Sequence, residues 1–365
     1  VEALFEAGKK AAGQDCQMFV IPKTEHAAQD LGATLGEKMK GADAIFLATT
    51  LSRSHAKESV EMMNPQFSAE AIESLLNSPS LKGAFSHIRD KSPEDLAGIL
   101  SKKKFSPEVF LPSKSRFISI TNARREIFSQ GAASENPKEM AGRSAKFEKI
   151  MEDIEWVRIT SANGTDLTLR LKKEYMDKED GIVDKPGKAA NFPSGEYGGA
   201  VVLAETSGVY VADGAVGMIG RLKEPITLLI KNGEAQQILG GAEAEKLKEI
   251  LEKANEEYRA KNPGDKKTNA FKVAEFSFGM NSKAFRFGEK GEKISPPTSL
   301  EGEKGLGTVH LALGRNTIFG LKKDDPDYND IAIHIDLVAM RPSVEGIKAN
   351  GQKIELLRDG EMVCL

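Results

Sequence analysis

Residues 331–340 read IAIHIDLVAM. Extended backbone sends successive side chains to opposite faces, so His334 and Asp336 point the same way while Ile333, Ile335 and Leu337 fill the other face. A carboxylate inside such an apolar strand is costly unless it is paired, hydrogen-bonded or bound to a metal ion. The stretch therefore predicts a strand of a packed sheet and asks what satisfies its two polar residues.

Similar strands surround it. WVRIT (156–160) and TDLTLRL (165–171) flank Asn163-Gly164, a pair suited to the positive φ of a type I′ hairpin turn. Short strands are predicted over 200–204, 208–211, 225–230, 235–239, 273–279 and 308–314, with one amphipathic helix over 242–260. A closing hairpin is expected around Asn350-Gly351. The earlier sequence alternates instead: helical spacing over 1–12, 27–39, 55–63, 68–77 and 93–103, and apolar strands over 16–21, 44–48 and 116–120. Such alternation predicts a parallel sheet covered by helices. The expectation is an α/β N-terminal domain, residues 1–140, followed by a strand-rich α+β domain, residues 141–365. A long helical pattern over 137–155 bridges the two. The opening VEALFEAGKKAAG is helical with no strand before it, so a first strand upstream of Val1 is expected.

The 365 residues are 40% hydrophobic and 29% charged, the profile of a folded globular chain. Lysine plus arginine number 51 against 54 aspartate plus glutamate, a formal charge of −3. That balance supplies no electrostatic footprint for nucleic acid or an anionic membrane. Two cysteines, Cys16 and Cys364, fit a reducing compartment, and no apolar run reaches eighteen residues. The expected location is the cytoplasm.

The second half holds two of the five histidines, and both interrupt apolar strands: His310 in TVHLALG and His334 in IAIHIDL. Glu275 interrupts a third, VAEFSFG, and Glu196 ends the turn-rich NFPSGE. A packing histidine or a buried His–Asp ion pair explains any one of these alone. Their recurrence in separate strands is the inventory of a nitrogen/oxygen metal site. The turn Ser52-Arg53-Ser54-His55 and Gly240-Gly241 read as ordinary helix entries. No cysteine accompanies a histidine, which leaves a thiolate zinc site or a Cys–His nucleophile unsupported.

GTDLTL (164–169), NFPSGE (191–196), DGAVGMIG (213–220), VAEFSFGMN (273–281), EKGLGTVHLALGRN (303–316) and IHIDLV (333–338) together resemble the aminopeptidase T/aminopeptidase S family of metallopeptidases. The resemblance implies a homodimeric hydrolase. It would release N-terminal residues from a peptide or small amino-acyl substrate through a water activated by two divalent ions, zinc, cobalt or manganese. It implies Glu196, Glu275, His310, His334 and Asp336 as ligands, and Glu196, Glu275 or Glu303 as the proton carrier. One position departs: the family's tyrosine seven residues after the first histidine is Thr317, which has no phenol. A different class stays open. His310, His334 and Asp336 form the two-histidine, one-carboxylate set of iron(II) oxygenases, and ring-cleaving dihydroxypyridine dioxygenases resemble the same family. A metal-binding protein without peptidase activity is the third reading.

Overall fold

The computed structural model describes residues 44–49, 116–121 and 131–365, apart from 186–187, 288–292, 295 and 297. The helices expected over 1–12, 27–39, 55–63, 68–77 and 93–103, the strand over 16–21 and the Ser52–His55 turn lie outside the described residues.

Two strands come from the first part, β1 (Ala44–Thr49) and β2 (Arg116–Thr121), before α1 (Pro137–Met151). Then follow β3 (Ile154–Thr160), β4 (Asp166–Glu179), β5 (Ala189–Phe192), β6 (Glu196–Ala212), β7 (Ala215–Val216), β8 (Gly220–Arg221), β9 (Ile226–Lys231) and β10 (Glu234–Leu239). Helix α2 (Ala242–Lys261) precedes β11 (Val273–Gly279), β12 (Arg286–Phe287) and β13 (Lys293–Ile294). Helix α3 (Ser299–Lys304) leads into β14 (Val309–Gly314), β15 (His334–Ala339), β16 (Ser343–Lys348), β17 (Lys353–Arg358) and β18 (Glu361–Met362).

β1, β2 and β5 form a small parallel sheet, so a strand from beyond residue 140 completes the sheet begun in the first part. Most of the described strands belong to one antiparallel sheet of 13 strands. Its order runs β18-β17-β16-β3-β4-β6-β11-β14-β15-β7-β8, with β9 and β10 added beside β6. The second half is thus more completely strand than the expected α+β mixture, and among the described residues helices only flank it. The two strands expected over 200–204 and 208–211 are one, β6, seventeen residues long. Its first residues pair with β11 and its last with β9. The Asn163-Gly164 hairpin forms, but not through a two-residue type I′ turn. Five residues separate β3 from β4, Gly164 takes φ 105° and Asn163 keeps a negative φ. Ser161 and Thr165 close this wider loop through Ser161 N–H donating to Thr165 O at 3.1 Å.

The core lies on one face of the central strands. Phe276 and Phe278 of β11, Leu311 and Leu313 of β14, and Ile335 and Leu337 of β15 are fully buried there. Helix α1 covers part of this face. Asn136 caps it by accepting from Lys138 N–H, and Pro137 sits where no intrahelical donor is needed. Its Phe147 packs edge-on against Phe278, 4.8 Å between centroids, and Tyr197, 5.5 Å. Each such ring contributes about 1.5–3 kcal/mol on burial. Every residue of β11 and β14 is buried, so their opposite face is covered as well. That second face carries the polar residues.

The cross-strand rows of the second face leave room for them. Ser277 lies opposite both Gly198 and His310, while Ala312 lies between Glu275 and Asp336. A Cβ at Gly198 would come within 2.3 Å of Ser277 Cβ and 2.6 Å of the Phe276 carbonyl oxygen. Gly198→Ala therefore forces the β6–β11 pair apart and is expected to destabilise the fold by about 1–3 kcal/mol. Gly142→Ala on α1, where a Cβ meets nothing within 4 Å, is expected to stabilise it by about 0.4–1 kcal/mol. Urea unfolding of the two variants checks the pair, and equal midpoints would refute the packing argument.

Candidate metal centre

The second face of β6, β11, β14 and β15 brings together the five residues singled out as ligands in the sequence. Glu275 stands at the middle. Its Oε1 is 3.3 Å from His310 Nε2 and its Oε2 is 3.2 Å from His334 Nε2. Asp336 Oδ1 is 3.2 Å from His334 Nε2 and 4.0 Å from His310 Nε2. Glu196 Oε2 lies 3.5 Å from His310 Nε2. Two overlapping donor sets result, Glu196–Glu275–His310 and Glu275–His334–Asp336, and in each the donor atoms lie within 4.8 Å of one another. The strands explain the convergence. Adjacent strands are about 4.8 Å apart, so residues on one face of neighbouring strands meet without any loop having to fold over.

The imidazoles are aimed. His334 Nδ1 is 2.7 Å from the Arg315 carbonyl oxygen. A carbonyl only accepts, so Nδ1 carries the proton and Nε2 is left to face the carboxylates. Arg315 is held by its own N–H donating to Ile333 O at 2.7 Å. Further along the same connection, Lys172 pairs with Asp327 at 2.8 Å and with Asp325, and Asp327 accepts from Leu203 N–H at 3.1 Å. The segment between β14 and β15 is thereby tied down to β4 and β6. Ser277 Oγ donates to Glu275 Oε1 at 2.5 Å and fixes that carboxylate.

A second group of charges adjoins the first. Lys304, at the end of α3, is only 1% exposed, with its Nζ 2.6 Å from Glu196 Oε2, 3.4 Å from Glu303 Oε1 and 3.5 Å from Glu179 Oε1. Glu303 is buried beside this ammonium and has no direct contact with either imidazole among the contacts described. Thr317 opens a 3-10 turn (Thr317–Phe319) and is partly exposed. Lys304, Glu179 and Ser277 escape a sequence reading. EGEK looks like a solvated charged turn, and only the burial of α3 gives Lys304 its role.

The ionisation of the cluster follows from burial set against crowded charge. Burial alone would lower the His310 pKa, but the Glu275 hydrogen bond and the charges of Glu275, Glu196 and Asp336 outweigh it and raise it to about 9. Burial is likewise overcome at His334, whose pKa Asp336 and Glu275 hold well above the usual imidazole range. Burial is overcome in the other direction at Asp336, which His334 brings down to about 2, and at Glu275, which the two imidazoles hold well below the carboxylate range. Glu303 goes the other way: burial, with Asp336 adding, pushes it up to about 8 against the pull of Lys304. Burial raises Glu179 to about 7.

Convergent imidazole and carboxylate donors without a thiolate suit a divalent iron, manganese, cobalt or zinc ion. Positive charge is what the cluster lacks, since without an ion both imidazoles must be protonated to hold the carboxylates together. Asp336 and Glu196 are the most exposed members of the five, 19% and 14%, so solvent reaches the cluster from their side. A candidate divalent-metal centre on a strand-rich fold is what these residues define.

The family model for 2,5-dihydroxypyridine 5,6-dioxygenase, NicX, matches residues 25–345, and the chain belongs to that family. No curated protein matches it. Among solved structures it is similar to 2,5-dihydroxypyridine dioxygenase from Pseudomonas putida KT2440, with 15% identity, a TM-score of 0.59, and 99% of this chain and 87% of that one covered. It is also similar to wild-type AmpT from Thermus thermophilus, with 14% identity, a TM-score of 0.50, and 98% and 84% covered. At such identities the two structures speak to the fold alone. The family match corrects the expectation of a hydrolase, an aminopeptidase acting on a peptide or amino-acyl substrate: the family is one of ring-cleaving dioxygenases. One feature of the chain accords with the correction: Thr317 supplies no phenol. No helix among the described residues is long and apolar enough to cross a membrane.

Metal entry has a proton count. The carboxylates around them raise both imidazoles and so favour their protonated forms in the metal-free cluster, and a bound ion would require their Nε2 lone pairs. Binding of cobalt(II) at pH 7 is therefore expected to release about two protons per chain and to tighten as pH rises. Calorimetry in buffers of different ionisation enthalpy measures the release, and no release would show that the histidines are not ligands.

Proposed function

We propose that the chain is an iron(II)-dependent dioxygenase that opens a hydroxylated pyridine ring, with His310, His334 and Asp336 holding the iron. The observation that carries the reading is the pairing of two imidazoles with one carboxylate, Asp336, within reach of both on a single sheet face. This is the donor set of non-haem iron(II) oxygenases, and membership of the dioxygenase family supports the same assignment. Bound iron would supply the means to bring oxygen and an electron-rich ring to reaction at one centre. The rest falls to the protein.

Glu275 has the role of proton acceptor in this reading. Without metal its two oxygens face the two imidazole Nε2 atoms. Once those nitrogens serve as ligands they carry no proton to share, and Oε2 loses its donor while Oε1 keeps Ser277. A carboxylate freed in this way beside the ion is placed to take the proton of a ring hydroxyl. The buried residues of β11 and β14 keep water from that side of the cluster, and the more exposed Asp336 and Glu196 mark the side open to a ring. A dihydroxypyridine is the substrate class, carried over from the family.

The test is oxygen uptake. The protein reconstituted anaerobically with iron(II) is expected to consume oxygen with 2,5-dihydroxypyridine and to release no amino acid from aminoacyl chromogenic substrates with zinc, cobalt or manganese. His334→Ala should lose both iron and turnover. Glu275→Gln should keep the iron and lose about 10²–10⁴-fold in kcat. Turnover unaffected by oxygen removal would refute the proposal, and loss of iron in Glu275→Gln would refute the proton-acceptor role.

A further inference from the structure

We infer that Asn329 is a positioning residue for the metal centre: it grips both peptide units of Arg315 and so holds the carbonyl that aims His334. The inference rests on reading His334 as a metal ligand, and not on which reaction the centre performs.

The Nδ1 side of His334 meets one backbone atom, the Arg315 carbonyl oxygen, at 2.7 Å. A peptide unit is planar, so that carbonyl turns only together with the Asn316 N–H at the other end of the same unit. The Asn316 N–H donates to the Asn329 carbonyl oxygen at 3.1 Å. The preceding unit is held by the same residue, because Asn329 Nδ2 donates to the Gly314 carbonyl oxygen at 2.6 Å. At the far end of that unit Arg315 N–H donates to Ile333 O at 2.7 Å. With both planes fixed, the Arg315 carbonyl has one direction, and the imidazole follows it.

Asn329 is fully buried and is itself immobilised. Its second amide hydrogen goes to Asn269 O at 2.9 Å, and its Oδ1 accepts from Asn269 N–H at 3.0 Å. Its own N–H donates to Asn316 Oδ1 at 2.9 Å. Carbonyl oxygens only accept and N–H groups only donate, so these partners fix which way the amide faces. Asn269 is anchored in turn, with Nδ2 donating to Glu234 Oε1 at 2.6 Å and Oδ1 accepting from Asn255 Nδ2 of α2 at 2.9 Å. The clamp thus ties the connection before β15 to β10 and α2. The chemistry calls for an amide. A carboxylate of the same shape would set an oxygen against two carbonyl oxygens, whereas the neutral amide holds the imidazole without adding to the crowded charge beside it.

Zinc(II) binding by the full-length protein and NMR of its five histidines, selectively labelled with nitrogen-15, test this together. In the native protein the His334 Nδ1–H, identified by its absence in His334→Ala, is expected to be protected from solvent exchange. Asn329→Ala is expected to lose that protection and to bind zinc(II) about 10–100-fold more weakly, the range for outer-shell partners of a ligating histidine. Asn329→Asp, which keeps the shape but loses both donors, should behave alike. Thr165→Val serves as the control: it removes the buried acceptor of Val211 N–H in the β3–β4 hairpin, and should lower stability while leaving both readouts native. Should Asn329→Ala fail to fold, Asn316→Ala removes the oxygen that accepts from Asn329 N–H and is expected to weaken zinc(II) binding more than about threefold. A folded Asn329→Ala with its Nδ1–H still protected or with zinc affinity within about threefold of native would overturn the assignment. So would native affinity in Asn316→Ala, or an equal loss in Thr165→Val. Absence of zinc binding by the native protein, with protection still lost in Asn329→Ala, would remove the metal reading and leave the clamp standing.

Discussion

Five carboxylates share one buried region of this sheet, and the way their charge is offset governs everything around them. Glu179, Glu196, Glu275, Glu303 and Asp336 lie close enough that all five could not ionise unaided, because each unpaired buried charge costs several kcal/mol. Three devices hold them. Lys304 faces Glu179, Glu196 and Glu303. The two imidazoles face Glu275 and Asp336. Burial pushes the Glu303 carboxyl up to about 8 and that of Glu179 up to about 7, which favours their neutral forms. The imidazoles are the only members of this arrangement that an incoming dication can replace as the source of positive charge while keeping their place as donors.

The sheet makes such crowding possible because it sets the positions of the groups independently of their repulsion. Phe276, Leu311 and Ile335 anchor the central strands from the core face, so the polar face cannot relax by sliding one strand past another. Small residues then decide which groups meet. Ala312 leaves the space between Glu275 and Asp336 open to their side chains, and Gly198 lets Ser277 stand close enough to hold Glu275. Gly314, at φ 111°, turns the end of β14 so that the Arg315 carbonyl meets His334. A Cβ there would lie 2.2 Å from the Ile333 carbonyl oxygen. The polar face is therefore built by packing on the other side of the same strands.

Much of this is legible in the sequence, for a physical reason. A histidine or acid inside a wholly apolar strand violates the usual partition of polar groups, so Glu275, His310, His334 and Asp336 announce themselves, and β11 is read to the residue as 273–279. Lys304 gives no such signal. It follows EGE and precedes Gly305, a pattern shared with exposed turns, and only the packing of α3 against β11, β15 and β7 buries it. β6 is broken in two by a reading of its Glu-Thr-Ser-Gly stretch, whereas pairing with β4 on one side and with β11 and β9 on the other carries the strand through. The hairpin turn fails for a related reason: Asn-Gly permits a type I′ turn, but the register of β3 against β4 calls for five residues. Local chemistry identifies candidates, and tertiary pairing decides among them.

The choice between hydrolysis and oxygen chemistry turns on the same distinction. A fold shared with a dioxygenase and with AmpT cannot select a reaction, and neither can the five clustered residues, which could hold either one ion or two. What separates the possibilities is membership of the dioxygenase family. Thr317 in place of a tyrosine removes one polar group. Lys304 holds Glu196 through a 2.6 Å ion pair. An ammonium differs from a dication in that it can neutralise a carboxylate but cannot polarise a bound water enough to make it a nucleophile near neutral pH. The reaction class is therefore read from the family match, and the cluster of imidazoles and carboxylates by itself leaves it open.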